Sequence, residues 1–523
     1  MTTCIDDVHI KHEVREYYRY GMFSHKWEDN EPLFESVVRL MVHDLEEYPT
    51  HDKLKMFCKI VQDAGLDWAW SDTCCLNKAD QFVLQEALLS MFKWYQESAL
   101  TVVFLFDVLS PSQRGDLMRS IWNSRAWTLQ EYHASKVVRF YTKEWTPYMN
   151  LDIPNHKESP EIISEMEEAI GISAQALMAL RPGLDDIREK LCLSSTRRTT
   201  FIEDAAYSLL GIFSMSLPVV YGEGDRALGR LLAQLLTSSR DTSILAWTGK
   251  SGSFNSCLPT NIIVFKQLPP SHIPPAITTT EMEKLTATLR VSLLNSASVM
   301  KLYDQLHHLP LPLFVGQRLK LPCLKFKLEA VRRARNAGER VFRANTDALE
   351  TVEIETEEDL SRSGPLYLVH PWIDFLLDRR PVDSIIETIP EENAEDQSSI
   401  GELPPGLLPG PSSITSAARK TGTGELASRL GLPFDGVTAT RRKDESSLPP
   451  PSSLSPENKR IRALQMIPRL KQPFGALLLA ENRGKVATYR RVATETLITV
   501  KLVKMTPAVL KKLVSSVRVL EVL

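Results

Sequence analysis

Long apolar runs are missing from this chain of 523 residues. None approaches the roughly 18 residues that a bilayer span requires, so no membrane span is expected. An excess of charge is missing too. The 62 basic and 65 acidic residues leave a formal charge of −3, which gives no global attraction to nucleic acid or to an anionic membrane. Cysteine is sparse and unpatterned: Cys4, Cys58, Cys74, Cys75, Cys192, Cys257 and Cys323 make an odd set without CxxC spacing. Neither a disulfide framework nor a zinc site is indicated, and no metal is expected. The stretch MTTCIDDVHIKHEVREYY has no apolar h-region and carries acids early, so no signal peptide is expected. Together these absences point to a reducing, intracellular compartment.

The length suffices for roughly two to four domains with a real core. Over residues 17–141, strand-like and helix-like segments alternate. YYRYGMFS reads as a strand ending at Ser24. HDKLKMFCKIVQDAG follows with Leu54, Phe57, Cys58 and Val61 on one helical face and Gly65 as a stop. DWAWSD is a short strand. QFVLQEALLSMFKWYQES carries Leu84, Leu88, Met91, Phe92 and Tyr95 as an amphipathic stripe. LTVVFLFD is continuously apolar, as a strand buried on both faces must be, and KVVRFY is another candidate. The pattern predicts a parallel α/β sheet in which Ala69–Trp70, Leu100–Phe106 and Val137–Tyr141 are neighbours.

Residues 161–236 read as mainly helical. EDAAYSLLGIF and DRALGRLLAQLL flank a turn with Pro218, Gly222 and Gly224. Residues 252–386 mix proline-rich and short apolar segments. Residues 390–457 are rich in Pro, Ser, Gly and acids and bury too little apolar surface to order themselves, which reads as a disordered linker or insertion. FGALLLAE, VATYRRVA and LITVKLV, within residues 458–523, read as strands that complete a sheet begun before that insertion.

In a parallel α/β sheet, ligands bind beyond the carboxyl ends of the strands. Three expected strand ends carry polar groups there: Ser24-His25-Lys26-Trp27, Asp72-Thr73, and Asp107. The segment NSRAWTLQEY, with Arg125, Trp127, Gln130 and Glu131, follows the Asp107 strand and reaches the same edge. An aromatic wall suits a planar heterocycle, and a carboxylate suits ribose hydroxyls or a developing cation. Structural readings stand beside these. His25 can bond a neighbouring carbonyl, Asp72 can cap the next segment, and Trp27, Trp70 and Trp127 can belong to the core. Cys74 and Cys75 read as buried small apolar residues. YGEGDRALGR lacks the spacing of a phosphate loop and reads as a glycine turn into a helix started by Asp225. Arg197-Arg198-Thr199-Thr200 reads as a solvated turn.

Four motifs in order, MFSHKW, WSDTCCLNKADQFVLQEALLSMFKWYQES, SRAWTLQEY and STRRTTFIEDAAYSLLGIFSMSLPVVYGEGDRAL, resemble the fungal heterokaryon-incompatibility (HET) domain over residues 23–236. Departures fall at Ser71, Ala126 and Asn77-Lys78, where family members usually have Ile, Gly and Asp-Lys or Asp-Gln. The resemblance implies a HET domain at 17–240 (α/β core 17–150, helical extension 160–240) followed by an accessory mixed region. It further implies a cytoplasmic effector of self/non-self recognition, an innate-immunity role ending in programmed cell death. HET domains are distantly similar to TIR domains, which have a flavodoxin-like fold and some of which cleave NAD+. That similarity places the TIR catalytic glutamate on Glu131, with Ser24, His25, Trp27, Asp72, Asp107 and Trp127 as candidates for contacting NAD+. NAD+ would be a substrate, with no tightly bound cofactor. Self-association and an unidentified protein trigger are the implied partners. The alternative is a non-enzymatic adaptor acting through protein–protein contacts.

One expectation is testable without further structure. Limited proteolysis should cut rapidly within residues 390–457 and leave both flanking parts intact on a gel; a protease-resistant segment there would contradict the compositional reading.

Overall fold

The computed structural model describes residues 13–14, 16–170, 181–239, 241–267, 297–334, 340–361, 364–372, 456–482, 484 and 486–523. Chain contacts define two compact units, 1–374 with 460–523 and 375–459. Apart from 456–459, the described residues belong to the first. The expected linker at 390–457 lies outside them, except for 456–457.

The first layer is a four-stranded parallel sheet of β1 (Tyr20–His25), β2 (Trp68–Trp70), β3 (Leu100–Phe104) and β4 (Val138–Tyr141), in the order β2-β1-β3-β4. The expected strands share one parallel sheet, with two corrections. β1 runs one residue further, to His25, and it lies between β2 and β3, so those two are not neighbours. The order reverses at β1/β3, which opens a crevice at their carboxyl ends.

Helix α1 (Pro49–Asp63) covers one face and buries Leu54, Phe57 and Val61 against Phe23, Val102 and Phe104. Pro49 opens it, and Gly65 at φ 72° follows its end. The approach is close: a Cβ on Gly21 of β1 would stand 2.5 Å from a Val61 methyl. Helix α2 (Gln81–Glu97) covers the other face. The Asp80 carboxylate caps it by accepting from the N–H groups of Phe82 and Val83 at 2.9 and 3.2 Å. Its buried stripe is Leu88, Met91, Phe92 and Tyr95, with Leu84 half-buried beside it. After β3 come α3 (Ile121–Ser124) and α4 (Trp127–Ala134), the latter packed beside α2.

The helical extension comprises α5 (Pro160–Ile170), α6 (Ile187–Ser195), α7 (Asp204–Tyr207) and α8 (Arg226–Ser239). EDAAYSLLGIF is helical only at its start: α7 ends at Tyr207 and the chain continues in turns to Ser214, at φ 51°. Tyr207, Leu210 and Phe213 are nonetheless buried in the core shared with the sheet. The turn conformation brings Gly211 onto α2, where an added Cβ would meet that of Phe92 at 2.2 Å.

Beyond α9 (Ala297–His307) the described chain is mostly β: β5 (Leu313–Val315), β6 (Arg318–Lys327), β7 (Ala330–Arg333), β8 (Val341–Asn345), β9 (Val352–Glu355) and β10 (Leu366–Pro371). After α10 (Pro456–Lys471) come β11 (Phe474–Asn482), β12 (Thr488–Arg491), β13 (Ile498–Val500), α11 (Pro507–Ser516) and β14 (Val517–Val522). Strands from either side of residues 373–455 join one sheet: β11 pairs with β10, and β14 with β6. Because β10 also pairs with β6, the path β6-β10-β11-β12-β14 closes on itself like a barrel. β7, β8 and β9 form a separate antiparallel sheet. Among the described residues, no helix is long and apolar enough to cross a membrane.

Gly211→Ala should therefore destabilise the chain by about 1–3 kcal/mol, the usual cost of overpacking a filled core. Denaturant unfolding checks this, and unchanged stability would mean that the turn yields freely.

Candidate functional site

The alternation of β1 decides what meets at the sheet's carboxyl edge. Met22 and Ser24 point to the α2/α4 face, Phe23 and His25 to the α1 face. Ser24 is buried, and its hydroxyl donates to Oε2 of Glu131 on α4 while accepting the indole N–H of Trp122 at 2.8 Å. Glu131 is itself buried. Burial pushes its carboxyl up to about 7; the Ser24 hydrogen bond opposes this, Asp72 adds to it, and Arg125 and Arg197 counter it.

The start of α4 is held by the segment expected as a solvated turn. Arg197 Nη1 donates to the Arg125 carbonyl at 3.0 Å and to Thr128 Oγ1 at 3.1 Å. The Arg198 N–H donates to Ser124 O at 2.6 Å, and the Ala126 N–H to Arg198 O at 2.9 Å. Burial lowers the Arg197 guanidinium to about 10, and the nearby Glu131 carboxylate opposes that fall. Arg197 is therefore part of the local charge balance, not a surface residue.

His25 lies on the opposite face, stacked on Phe23 at 4.1 Å. Its expected carbonyl partner is not found: among the described residues neither ring nitrogen makes a hydrogen bond, and Nε2 stands 3.7 Å from Glu31 Oε1. Burial first, then the cations Lys53, Arg125 and Lys78, hold the imidazole well below its usual range, so it is neutral. Glu31 pairs instead with Lys53, which also reaches Glu28 at 2.9 Å. Trp27 is exposed rather than in the core. Its indole N–H donates to Asp72 at 2.9 Å, and Lys78 Nζ sits 3.2 Å from its ring centroid. Burial raises the Asp72 carboxyl to about 6 despite Lys78, the Trp27 bond and Arg125.

Two candidates go elsewhere. Asp107 is exposed and accepts from Ser120 Oγ and the Ile121 N–H, both at 2.7 Å, which fastens the start of α3. It lines a hollow of about 360 Å³ with Gln113, Arg119 and Ser120. Trp127 is half-buried, and its indole favours the charged form of Asp204. The tryptophan that supports the Ser24–Glu131 pair is Trp122, whose one local signal in the sequence is Ser120, a helix-capping serine two residues before it. Lys78 and Arg197 were not expected at the site, whereas Arg125 was, and its charge reaches Glu131 and Asp72. A second hollow, of about 190 Å³, is lined by Asn123, Ser124, Thr196 and Arg197. Glu131 lines neither.

Glu203 and Asp204 have structural partners. Glu203 Oε1 accepts from the N–H groups of Gly222 and Gly224 at 2.7 and 2.9 Å, so a carboxylate of the chain itself occupies the glycine-rich turn. Asp204 accepts from the Tyr221 hydroxyl at 2.9 Å. Asp225 stands directly before α8 as expected, its carbonyl accepting the Gly229 N–H at 3.1 Å, while its carboxylate binds the Ser253 N–H and hydroxyl.

No family model and no solved structure match this chain. Over 226 residues it is 31% identical to the vegetative incompatibility protein HET-E-1 of Podospora anserina. The chain is related to an incompatibility protein. The alignment takes in 40% of this chain and 16% of that relative, so the chain spans only a small part of HET-E-1's length.

The pH dependence of stability tests the Glu131 environment. A carboxyl at about 7 folded and about 4.5 unfolded gives stability that is fully present below pH 4.5 and is lost as pH rises through 7. Glu131→Gln removes that loss. The variant should gain on the parent between pH 4.5 and 7.5 by on the order of 3 kcal/mol, read by denaturant unfolding. A difference that stays constant with pH would show that Glu131 ionises as freely as in water.

Proposed function

We propose that this chain acts in fungal vegetative (heterokaryon) incompatibility, and that its α/β part cleaves NAD+ with Glu131 as the catalytic carboxylate. The observation that carries the reading is the placement of Glu131: a buried carboxyl on the helix before β4, held at the carboxyl edge by Ser24 and poised to ionise at about pH 7. The named relative supports the biological setting. The strand order supports the chemistry by analogy, since β2-β1-β3-β4 agrees with the first four strands of the flavodoxin-like order.

In this reading the ionised Glu131 leaves Ser24 for the ribose hydroxyls beside nicotinamide and stabilises the cationic sugar as the N-glycosidic bond breaks. Water completes the reaction, giving ADP-ribose, nicotinamide and a proton. Trp27 would offer a stacking face, and Lys78 and Arg125 positive charge, at the same edge. Asp72 would act through its bond from Trp27 and Asp107 through α3, while His25 and Trp127 would support the same edge by packing. Self-association and a protein trigger belong to the same reading.

One observation favours the adaptor alternative: Glu131 is turned onto Ser24 and lines neither hollow. Expression of the full chain separates the two readings. Cleavage predicts falling cellular NAD+ with the parent and unchanged NAD+ with Glu131→Gln at equal protein level. Activity of purified protein should also rise with pH through about 7, as the carboxylate forms. Growth arrest at constant NAD+, equal in parent and variant, would establish the adaptor reading.

A further inference from the structure

The turn after β2 carries two adjacent thiols that the candidate site does not use. Both were expected to be buried. Cys74 is, beside Leu54 and Phe57, but Cys75 is exposed, and their sulfurs lie 3.9 Å apart. Cys75 Sγ also accepts the Ser71 N–H at 3.4 Å, while the Cys75 N–H donates to Ser71 O at 2.9 Å. The turn is thus closed twice between the same two residues. The hydrogen bond from Cys74 pulls the Cys75 thiol below its usual range; burial opposes this and the Ser71 N–H reinforces it. The same bond and burial push the Cys74 thiol up. The thiol of the exposed residue, which ionises the more readily of the two, therefore lies 3.9 Å from a protonated, buried one.

We propose that Cys75 is a reversible oxidation site for hydrogen peroxide, with Cys74 as its resolving partner. The Cys75 thiolate attacks one peroxide oxygen; an S–O bond forms, the O–O bond breaks, and the other oxygen leaves as hydroxide, which takes up the proton Cys75 released. Cys74 then attacks the resulting sulfenic sulfur. An S–S bond forms and the sulfenic oxygen departs as water with the Cys74 proton. Two thiols are oxidised to one disulfide, and one peroxide is reduced to two waters. Adjacent Cα atoms lie about 3.8 Å apart across a trans peptide, short of the ~4.4–6.8 Å that relaxed disulfides span. The bond is therefore strained and readily reduced, so the site resets. Its closure takes Cys75 Sγ from the Ser71 N–H and loosens the turn that presents Asp72 to Trp27.

The test uses the full chain. It is treated with peroxide at neutral pH, its free thiols are alkylated with N-ethylmaleimide, and the peptide carrying both cysteines is weighed. The expected peptide has lost about two mass units and carries no alkyl group, and dithiothreitol restores double alkylation. Cys58→Ser, which removes the nearby thiol on α1, should leave the result unchanged. Cys74→Ser should leave Cys75 oxidised beyond the disulfide stage; if that variant does not fold, the exposed Cys75→Ala serves, and Cys74 should then stay reduced. Double alkylation after peroxide treatment, or a disulfide from Cys75 to Cys58 or to another chain, would overturn the proposal.

Discussion

The Ser24 hydroxyl accepts the Trp122 indole N–H and gives its own proton to Glu131, so one small side chain at the end of β1 ties the strand to α3 and α4. Each partner is buried, and each polar group would carry a desolvation penalty if left alone. The positions of both helices depend on that arrangement. So does the ionisation of Glu131, because the hydroxyl is the strongest influence opposing its burial. Arg197 completes the arrangement by fastening the backbone from which α4 starts.

On the opposite face, a different kind of order prevails. Lys53, Glu28 and Glu31 form a charged cluster beside a neutral His25, and Lys78 lies over Trp27, whose indole reaches Asp72. The two faces share an edge but not a set of hydrogen bonds. Asp72 and Arg125 act across the two faces through charge: Asp72 raises the Glu131 carboxyl, and Arg125 lowers both that carboxyl and the His25 imidazole.

The periodic features were legible in the sequence. The stripe from Leu88 to Tyr95, the apolar LTVVF run and the glycine stop at Gly65 follow from helix and strand periods and from local turn chemistry, which neighbouring residues carry. The partners of polar side chains were not legible. Nothing near Asp107 says that its carboxylate fastens Ile121, and nothing near Glu203 says that it fills the turn at Gly222 and Gly224. Those bonds arise where distant segments meet. Trp122 and Trp127 show the limit well. Five residues apart, one just before the NSRAWTLQEY motif and one within it, they differ in burial and in surroundings because α3 ends between them. The partial helix at EDAAYSLLGIF has a packing cause as well: Gly211 must approach Phe92 more closely than any residue with a side chain could.

Barrel closure has a consequence for synthesis. β6 ends at Lys327, and the strand that covers one of its edges does not begin until Val517. At roughly 5–20 residues per second, a ribosome needs on the order of ten seconds or more to bridge that gap. Throughout this interval Leu319, Leu321 and Cys323, fully buried in the finished fold, have no β14 beside them. An open edge of this kind is a template for pairing with another nascent chain. Arg318, Lys320 and Pro322, which alternate with them, are then the protection that the strand itself supplies among its first residues. Crowded polysomes would therefore tax this protein at its barrel rather than at its α/β sheet, whose four strands are complete by Tyr141.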